Sequence, residues 1–112
     1  MASVHRLDKP RAAPGRVTFS RAELRTLLDE YSRRVAAGEW RDYAIDYRPD
    51  RAVFSMFRHT AEFPLYMVEK VVGRDAKPLW RLLRGREKLR QGRNLPDILA
   101  AIERRPRLVT LF

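Results

Sequence analysis

The chain has 112 residues, of which 34% are charged, a formal net charge of +10 and no cysteine. A chain of this length buries roughly two-thirds of the surface that its unfolded form exposes, which is enough for one cooperative domain. The absence of cysteine excludes a disulfide scaffold, a cysteine zinc site and a cysteine nucleophile. Its apolar stretches are far shorter than the ~20 residues that cross a bilayer, and charged residues interrupt its start. We therefore expect a cytoplasmic protein with no membrane partner.

Positive charge is concentrated towards the C-terminal end. Residues 74–112 carry eleven basic and four acidic side chains, whereas residues 41–73 carry five of each. A local surplus of this kind attracts anionic partners. However, 20 of the 24 basic residues are arginine, which is also typical of a GC-rich genome. Composition alone leaves open whether the arginine excess is functional.

The N-terminal part predicts a flexible basic arm followed by a helix. Residues 1–15 contain proline, glycine and basic side chains without periodicity. Ser20 and Glu23 have the spacing of a capping box, and Phe19 and Leu24 occupy the positions of a hydrophobic staple. Apolar residues then recur every three or four positions to about residue 37, and Gly38 fits a left-handed C-cap. We expect residues 16–112 to form a single domain.

The middle of the chain alternates with the period of β-strands. Residues 40–47 place Tyr43, Ile45 and Tyr47 on one face, as in a half-buried strand. Residues 48–51 and 59–62 have turn chemistry. Residues 52–58 and 63–72 between and after these turns are predicted as two further strands. The three strands are expected to form an antiparallel meander.

The last third is less regular. Residues 78–83 fit either a helix opened by Pro78 or a fourth strand. We favour strands at residues 79–83 and 87–91 joined by a turn at 84–86, then a helix capped by Asn94 that ends near Arg105. A brief strand or docked tail follows at 107–112. The predicted fold class is α+β: an antiparallel sheet of four to five strands with an N-terminal and a C-terminal helix packed on one face.

Three segments resemble a known family. They are residues 36–46, which include the run GEWRDYAID, residues 52–58 and residues 64–70. The chain is similar over about residues 16–109 to a small uncharacterised bacterial domain family. The resemblance implies a short strand, a glycine and a terminal helix at the C-terminal end, and it implies no activity. Related sequences are apolar around the fourth strand, where this chain carries a run of arginines.

A basic ladder is the first candidate site. Arg84, Arg86, Lys88 and Arg90 are spaced by two, with Arg81 and Arg93 outside them. On an extended strand, alternate side chains share a face about 6.6 Å apart, close to two phosphate steps of B-form DNA at about 3.4 Å each. If four to six phosphates were neutralised, the logarithm of the affinity should fall with the logarithm of the salt concentration at a slope of roughly −4 to −5. The alternative is a solvated hairpin edge whose charges discourage aggregation.

Aromatic residues on an open sheet are a second candidate, because they stack unpaired bases. Residues 51–58 lack the glycines of the known RNA-binding sheet motif, so most of the rings are expected to be core. Tyr43, Tyr47 and Tyr66 have a polar end and are the rings expected to reach an exposed face.

Catalytic and metal chemistry is weakly indicated. His59 lies near Glu62, but no nucleophile, phosphate-binding glycine loop or metal-ligand spacing accompanies it. Asp42, Asp46 and Asp50 would line up only on a helix, so we expect Asp42 and Asp46 to pair with Arg58, Lys70 or Arg41 across the sheet. The sequence predicts no enzyme and no cofactor.

Two functions follow from these features. The first is a non-enzymatic module that contacts nucleic-acid phosphates without strong sequence preference, through the ladder and through Arg6, Lys9, Arg11 and Arg16 of the arm. The second is a protein-interaction or regulatory subunit that uses an open sheet edge or forms a homodimer, with arginines for solubility.

Overall fold

The computed structural model describes residues 15–58 and 63–103 of the chain. In chain order, its elements are the helix α1 (Arg21–Ala36), the strands β1 (Asp42–Tyr47), β2 (Arg51–Phe57), β3 (Tyr66–Val72), β4 (Pro78–Arg84) and β5 (Glu87–Gly92), and the helix α2 (Leu95–Glu103). The predicted α+β class is confirmed, and every predicted helix and strand between residues 20 and 103 is present.

Helix α1 begins and ends as its sequence predicts. The Ser20 hydroxyl accepts a hydrogen bond from the amide of Glu23 at 3.1 Å, and the Glu23 carboxylate accepts one from the amide of Ser20 at 2.7 Å. The staple residues Phe19 and Leu24 are both buried. Gly38 has a φ of 77°, the left-handed conformation that ends many helices.

Replacing the cap of α1 should lower stability measurably. We expect Ser20→Ala to lose about 1 kcal/mol of unfolding free energy in urea denaturation, because the Glu23 amide at the helix start loses its hydrogen-bond partner. Ser32→Ala is the control, since Ser32 is exposed within the same helix and alanine has the higher helix propensity. Equal effects of the two substitutions would show that the capping box does not stabilise the helix.

The sheet is an antiparallel meander. Its strand order is β1-β2-β3-β4-β5, so each strand pairs only with its neighbours along the chain. The turn between β1 and β2 is closed by a hydrogen bond from the Arg48 amide to the Arg51 carbonyl at 2.8 Å. Strand β5 carries one irregularity in its register with β4, between Leu82 and Leu83.

Both helices pack on one face of the sheet, as predicted. This face carries Phe54, Val68 and Leu82, which are 0% exposed and pair with one another across β2, β3 and β4. The core cluster joins them to Leu24 and Leu27 of α1 and to the apolar residues of α2, Leu95, Ile98, Leu99 and Ile102. We call the opposite side of the sheet the open face, because no helix among the described residues packs on it.

A partly buried lysine joins β3 to the start of α1. The Lys70 ammonium donates to the Thr18 carbonyl at 2.8 Å and to the Glu23 carboxylate at 2.7 Å. It also lies 6.0 Å from the centre of the Trp80 ring. These contacts fix the helix over the middle of the sheet.

Helix α2 starts as predicted, since the Asn94 side chain accepts a hydrogen bond from the amide of Asp97 at 2.9 Å. The predicted arm up to residue 14, the turn that contains His59 and Glu62, and the tail from residue 104 onward lie outside the described residues.

Candidate nucleic-acid interface

The β4–β5 hairpin does not arrange its cations as an even ladder. Arg84 is the last residue of β4, Arg86 lies in the two-residue turn, and Lys88 and Arg90 belong to β5. The chain therefore reverses direction inside the predicted ladder. The Gly85 φ of 62° permits this tight reversal.

A β-bulge separates the two cations of β5. Lys88 pairs with Leu83 on the open face, whereas Arg90 pairs with the buried Leu82 on the helix side. The extra residue between them is Leu89, which packs against the core. Because directly paired residues share a face, Lys88 and Arg90 lie on opposite sides of the sheet. The prediction of one continuous row of cations is wrong for this reason.

The two outer members of the predicted set are bound within the protein. The Arg81 guanidinium lies on the open face, 3.6 Å from the Glu69 carboxylate, and its Nε is buried without a hydrogen-bond partner in the described residues. The Arg93 guanidinium donates to the carbonyls of Lys77 and Pro78 at 3.0 and 3.2 Å. Arg93 therefore lies at the other end of β5, away from the turn.

The three tyrosines lie on the helix-covered face, so the expectation that they reach an exposed face is wrong. Tyr43 stacks on Phe54 with ring centres 5.2 Å apart, and Tyr47 meets Phe19 edge-on at 5.9 Å. Tyr66 is only 8% exposed. Burial raises the pKa of Tyr47. The polar end of these rings does not outweigh their large apolar area in the core.

Four exposed arginines from separate parts of the chain instead meet at one end of the sheet, which we call the basic end. It comprises Arg41 before β1, Arg58 after β2, Arg84 at the end of β4 and Arg86 in the turn, all of them exposed. The amide of Arg41 bonds to the Phe57 carbonyl at 2.8 Å, which places the start of β1 beside the end of β2. Strands lie about 4.8 Å apart, so the basic end extends over roughly 20 Å, about six base steps of a duplex.

None of the four cations of the basic end has a carboxylate partner within residues 15–58 and 63–103. The Arg84 guanidinium lies 6.0 Å from the centre of the Tyr66 ring, which orients it without neutralising it. Phe63 lies in the connection between β2 and β3, three residues before β3 begins, and is 80% exposed. An exposed ring in a connection at the same end of the sheet as unpaired cations suits unpaired bases and their phosphates.

At the opposite end of the sheet, two arginines next to the β1–β2 turn are paired with aspartates. There Arg48 pairs with Asp46 at 2.7 Å, and Arg51 with Asp50 at 3.4 Å. Arg16, which closes the predicted arm, donates to the Tyr47 carbonyl at 2.6 Å and so lies at this opposite end. Arg16 therefore does not join the basic end.

The acidic residues are also placed differently from the prediction. Asp46 pairs with Arg48, and the Asp42 carboxylate accepts a hydrogen bond from the amide of Tyr43 at 2.8 Å. Lys70 is bound to Glu23 because it lies on the helix side of the sheet. The expected pairing of Asp42 and Asp46 with Arg58, Lys70 or Arg41 across the sheet is thus wrong. No group of three acidic or histidine side chains within the described ranges is arranged to hold a metal ion.

The centre of the open face carries an ion network. Glu69, only 6% exposed, accepts a hydrogen bond from Arg51 at 2.9 Å and lies beside Arg81. The hydrogen bond to Glu69 raises the pKa of Arg51. Sequence periodicity did not reveal this network, because the contributing strands are separated along the chain.

These features define a small α+β domain in which a five-stranded antiparallel meander carries both helices on one face. A family described as "Protein of unknown function (DUF2794)" matches residues 17–99, and the chain belongs to this family. The predicted resemblance to an uncharacterised family is confirmed, and the match brings no activity with it.

The comparisons with curated proteins and with solved structures found no match. In the described part of the chain, neither helix is long and apolar enough to cross a membrane.

Proposed function

We propose that the protein is a non-enzymatic module that binds nucleic acid through the basic end of its sheet, without strong sequence preference. The observation that carries this proposal is the set of four exposed guanidinium groups, Arg41, Arg58, Arg84 and Arg86, without carboxylate partners in the described residues. Guanidinium groups match the geometry of phosphate oxygens. Contacts to phosphates carry no information about the bases, so they give no sequence preference.

The geometry favours the backbone over the bases as the main contact. The cations are spread over three connections of the sheet and do not project from one helix or strand that enters a groove. Phe63 adds one exposed ring for stacking on a single strand. Arg81 and Arg93 contribute less, because Glu69 and two backbone carbonyls already bind their guanidinium groups.

Salt-dependent binding tests this function. With four phosphates neutralised, the affinity for a labelled duplex should fall with a log-log salt slope of roughly −4, measured by fluorescence polarisation. The triple variant R58Q/R84Q/R86Q should bind about tenfold more weakly or worse and should flatten the slope by about 2.7. Labelled single-stranded DNA and RNA serve as the second and third probes.

A matched triple variant controls for net charge. R48Q/R74Q/K77Q removes the same number of exposed cations from the opposite end of the sheet and should leave most of the affinity intact. An equal loss in both variants would attribute binding to overall charge and contradict the proposed site. Absence of salt-dependent binding to all three probes would contradict the function itself.

A further inference from the structure

The open face is more apolar than a solvated sheet face requires. Its side chains include five partly exposed apolar residues from three strands, Phe57, Met67, Val71, Leu79 and Leu83. They surround Val53, which is 6% exposed, and the ion network at Glu69. Apolar residues grouped on one face in this way mark an interaction surface on a small protein.

Charge is divided between the two edges of this face. Strand β1 presents the exposed Asp42 and Asp46 at one edge, on either side of Ala44. Strand β5 presents Lys88 and Gln91 at the other edge, joined by a hydrogen bond of 3.1 Å. The face therefore carries two aspartates at one edge, apolar residues around the Glu69 ion network in the middle, and a lysine at the other edge.

We propose that the open face is a homodimer interface, in which two copies pack sheet against sheet about a twofold axis parallel to the strands. This rotation reverses the strand order and keeps the position along each strand. It places β1 of one copy over β5 of the other. Such isologous interfaces require a surface that is complementary to itself, and the charge division provides one.

The register supports this pairing residue by residue. Ala44, Ser55, Met67, Leu83 and Lys88 form one cross-strand row. After the rotation, Lys88 of the partner subunit stands over Ala44, within reach of the aspartates on either side. The next row places Asp46 opposite Gln91 of the partner subunit.

Charge also selects the direction of the axis. An axis in the plane of the sheet but perpendicular to the strands would place β1 over β1 and β5 over β5. The aspartates would then face aspartates and the lysines would face lysines, which is a repulsive arrangement. The chosen axis places Glu69 opposite Glu69 of the partner subunit at the centre of the face. Each of these carboxylates is paired with Arg51 in its own subunit, so dimer formation does not bury an unpaired charge there.

The size of the face sets the expected affinity. Five strands of about six residues cover roughly 20 Å by 20 Å, or about 400 Å² per copy, which is below the area of a typical stable interface. We therefore expect a dimer with a dissociation constant in the micromolar range. The proposal goes beyond the proposed function and does not rest on it, because the dimer is measured without nucleic acid.

Sedimentation of the full chain tests the dimer. Between about 1 μM and 1 mM protein, the mass should rise from 13.2 kDa towards twice that value. Lys88→Asp should raise the dissociation constant about tenfold or more, and so should the double variant Asp42→Lys with Asp46→Lys. An equimolar mixture of these two proteins should recover the dimer, since both edge contacts again join opposite charges.

Arg90→Asp is the matched control, because Arg90 lies on the same strand but on the helix side. It makes the same charge change and should leave the dissociation constant within a factor of two or so. Circular dichroism spectra would verify that every variant is folded. A chain that stays monomeric up to about 1 mM would overturn the proposal, and so would failure of the mixture to recover the dimer.

Discussion

Phe54→Ala should lower the free energy of unfolding by about 3 to 5 kcal/mol in urea denaturation. Phe54 is 0% exposed, stacks on Tyr43 at 5.2 Å and meets Phe19 edge-on at 6.5 Å. It lies on the central part of the sheet beneath α1, so truncation leaves a cavity that neighbouring strands cannot close. The total free energy of unfolding of a small domain is only about 5 to 15 kcal/mol, so the loss is a large fraction of its stability.

Phe63→Ala is the control, because it makes the same substitution at an exposed position. Phe63 is 80% exposed, and its truncation should change stability by no more than about 0.5 kcal/mol. Should Phe54→Ala fail to fold, Phe54→Leu provides a graded substitution with a smaller expected loss. Similar effects at positions 54 and 63 would contradict the placement of the core on the helix side of the sheet.

Glu69→Gln should cost about 2 kcal/mol of unfolding free energy. Breaking a buried ion pair costs about 3 to 5 kcal/mol, because it leaves a charge without its partner. The arginines that bind Glu69 are each 33% exposed, so water reaches them and reduces the penalty. The loss should persist at high salt, since a largely buried pair is screened only weakly.

Asp46→Asn provides the comparison for Glu69→Gln. The Asp46–Arg48 distance is shorter than the Glu69–Arg51 distance, 2.7 Å against 2.9 Å, but both side chains are more than half exposed. Its removal should cost at most about 0.5 kcal/mol and less in high salt.

A double-mutant cycle that combines Glu69→Gln with Arg51→Gln would measure the coupling energy between Arg51 and Glu69. Coupling near zero would show that the network does not stabilise the sheet.

Local signals in the sequence predicted most of the fold. The capping box at Ser20 and Glu23 and the Asn94 cap depend on side chains three residues apart, so their geometry is nearly independent of the rest of the chain. The alternation in β1 likewise follows from the strand period. These elements were correct because each is specified by residues that are close in sequence.

The candidate site was less predictable, because it depends on how separate strands align. Alternation showed that Tyr43, Ile45 and Tyr47 share a face, but it did not show that the helices cover that face. The basic end brings Arg41 and Arg58 to the end of β4 only through the strand order. The bulge arises because Leu89 packs into the core, and it places Arg90 on the opposite face of the sheet from Lys88.

The strand order also bears on how the protein folds. Because each strand of the meander adds to the one just synthesised, the sheet can grow by successive hairpins, and few contacts require distant segments to meet. The chief exceptions are the contacts of α1, which packs against α2 and is bridged at its start to Lys70, 47 residues away from Glu23. We therefore expect rapid assembly of the sheet, with docking of the first helix as the slower step that completes the native state.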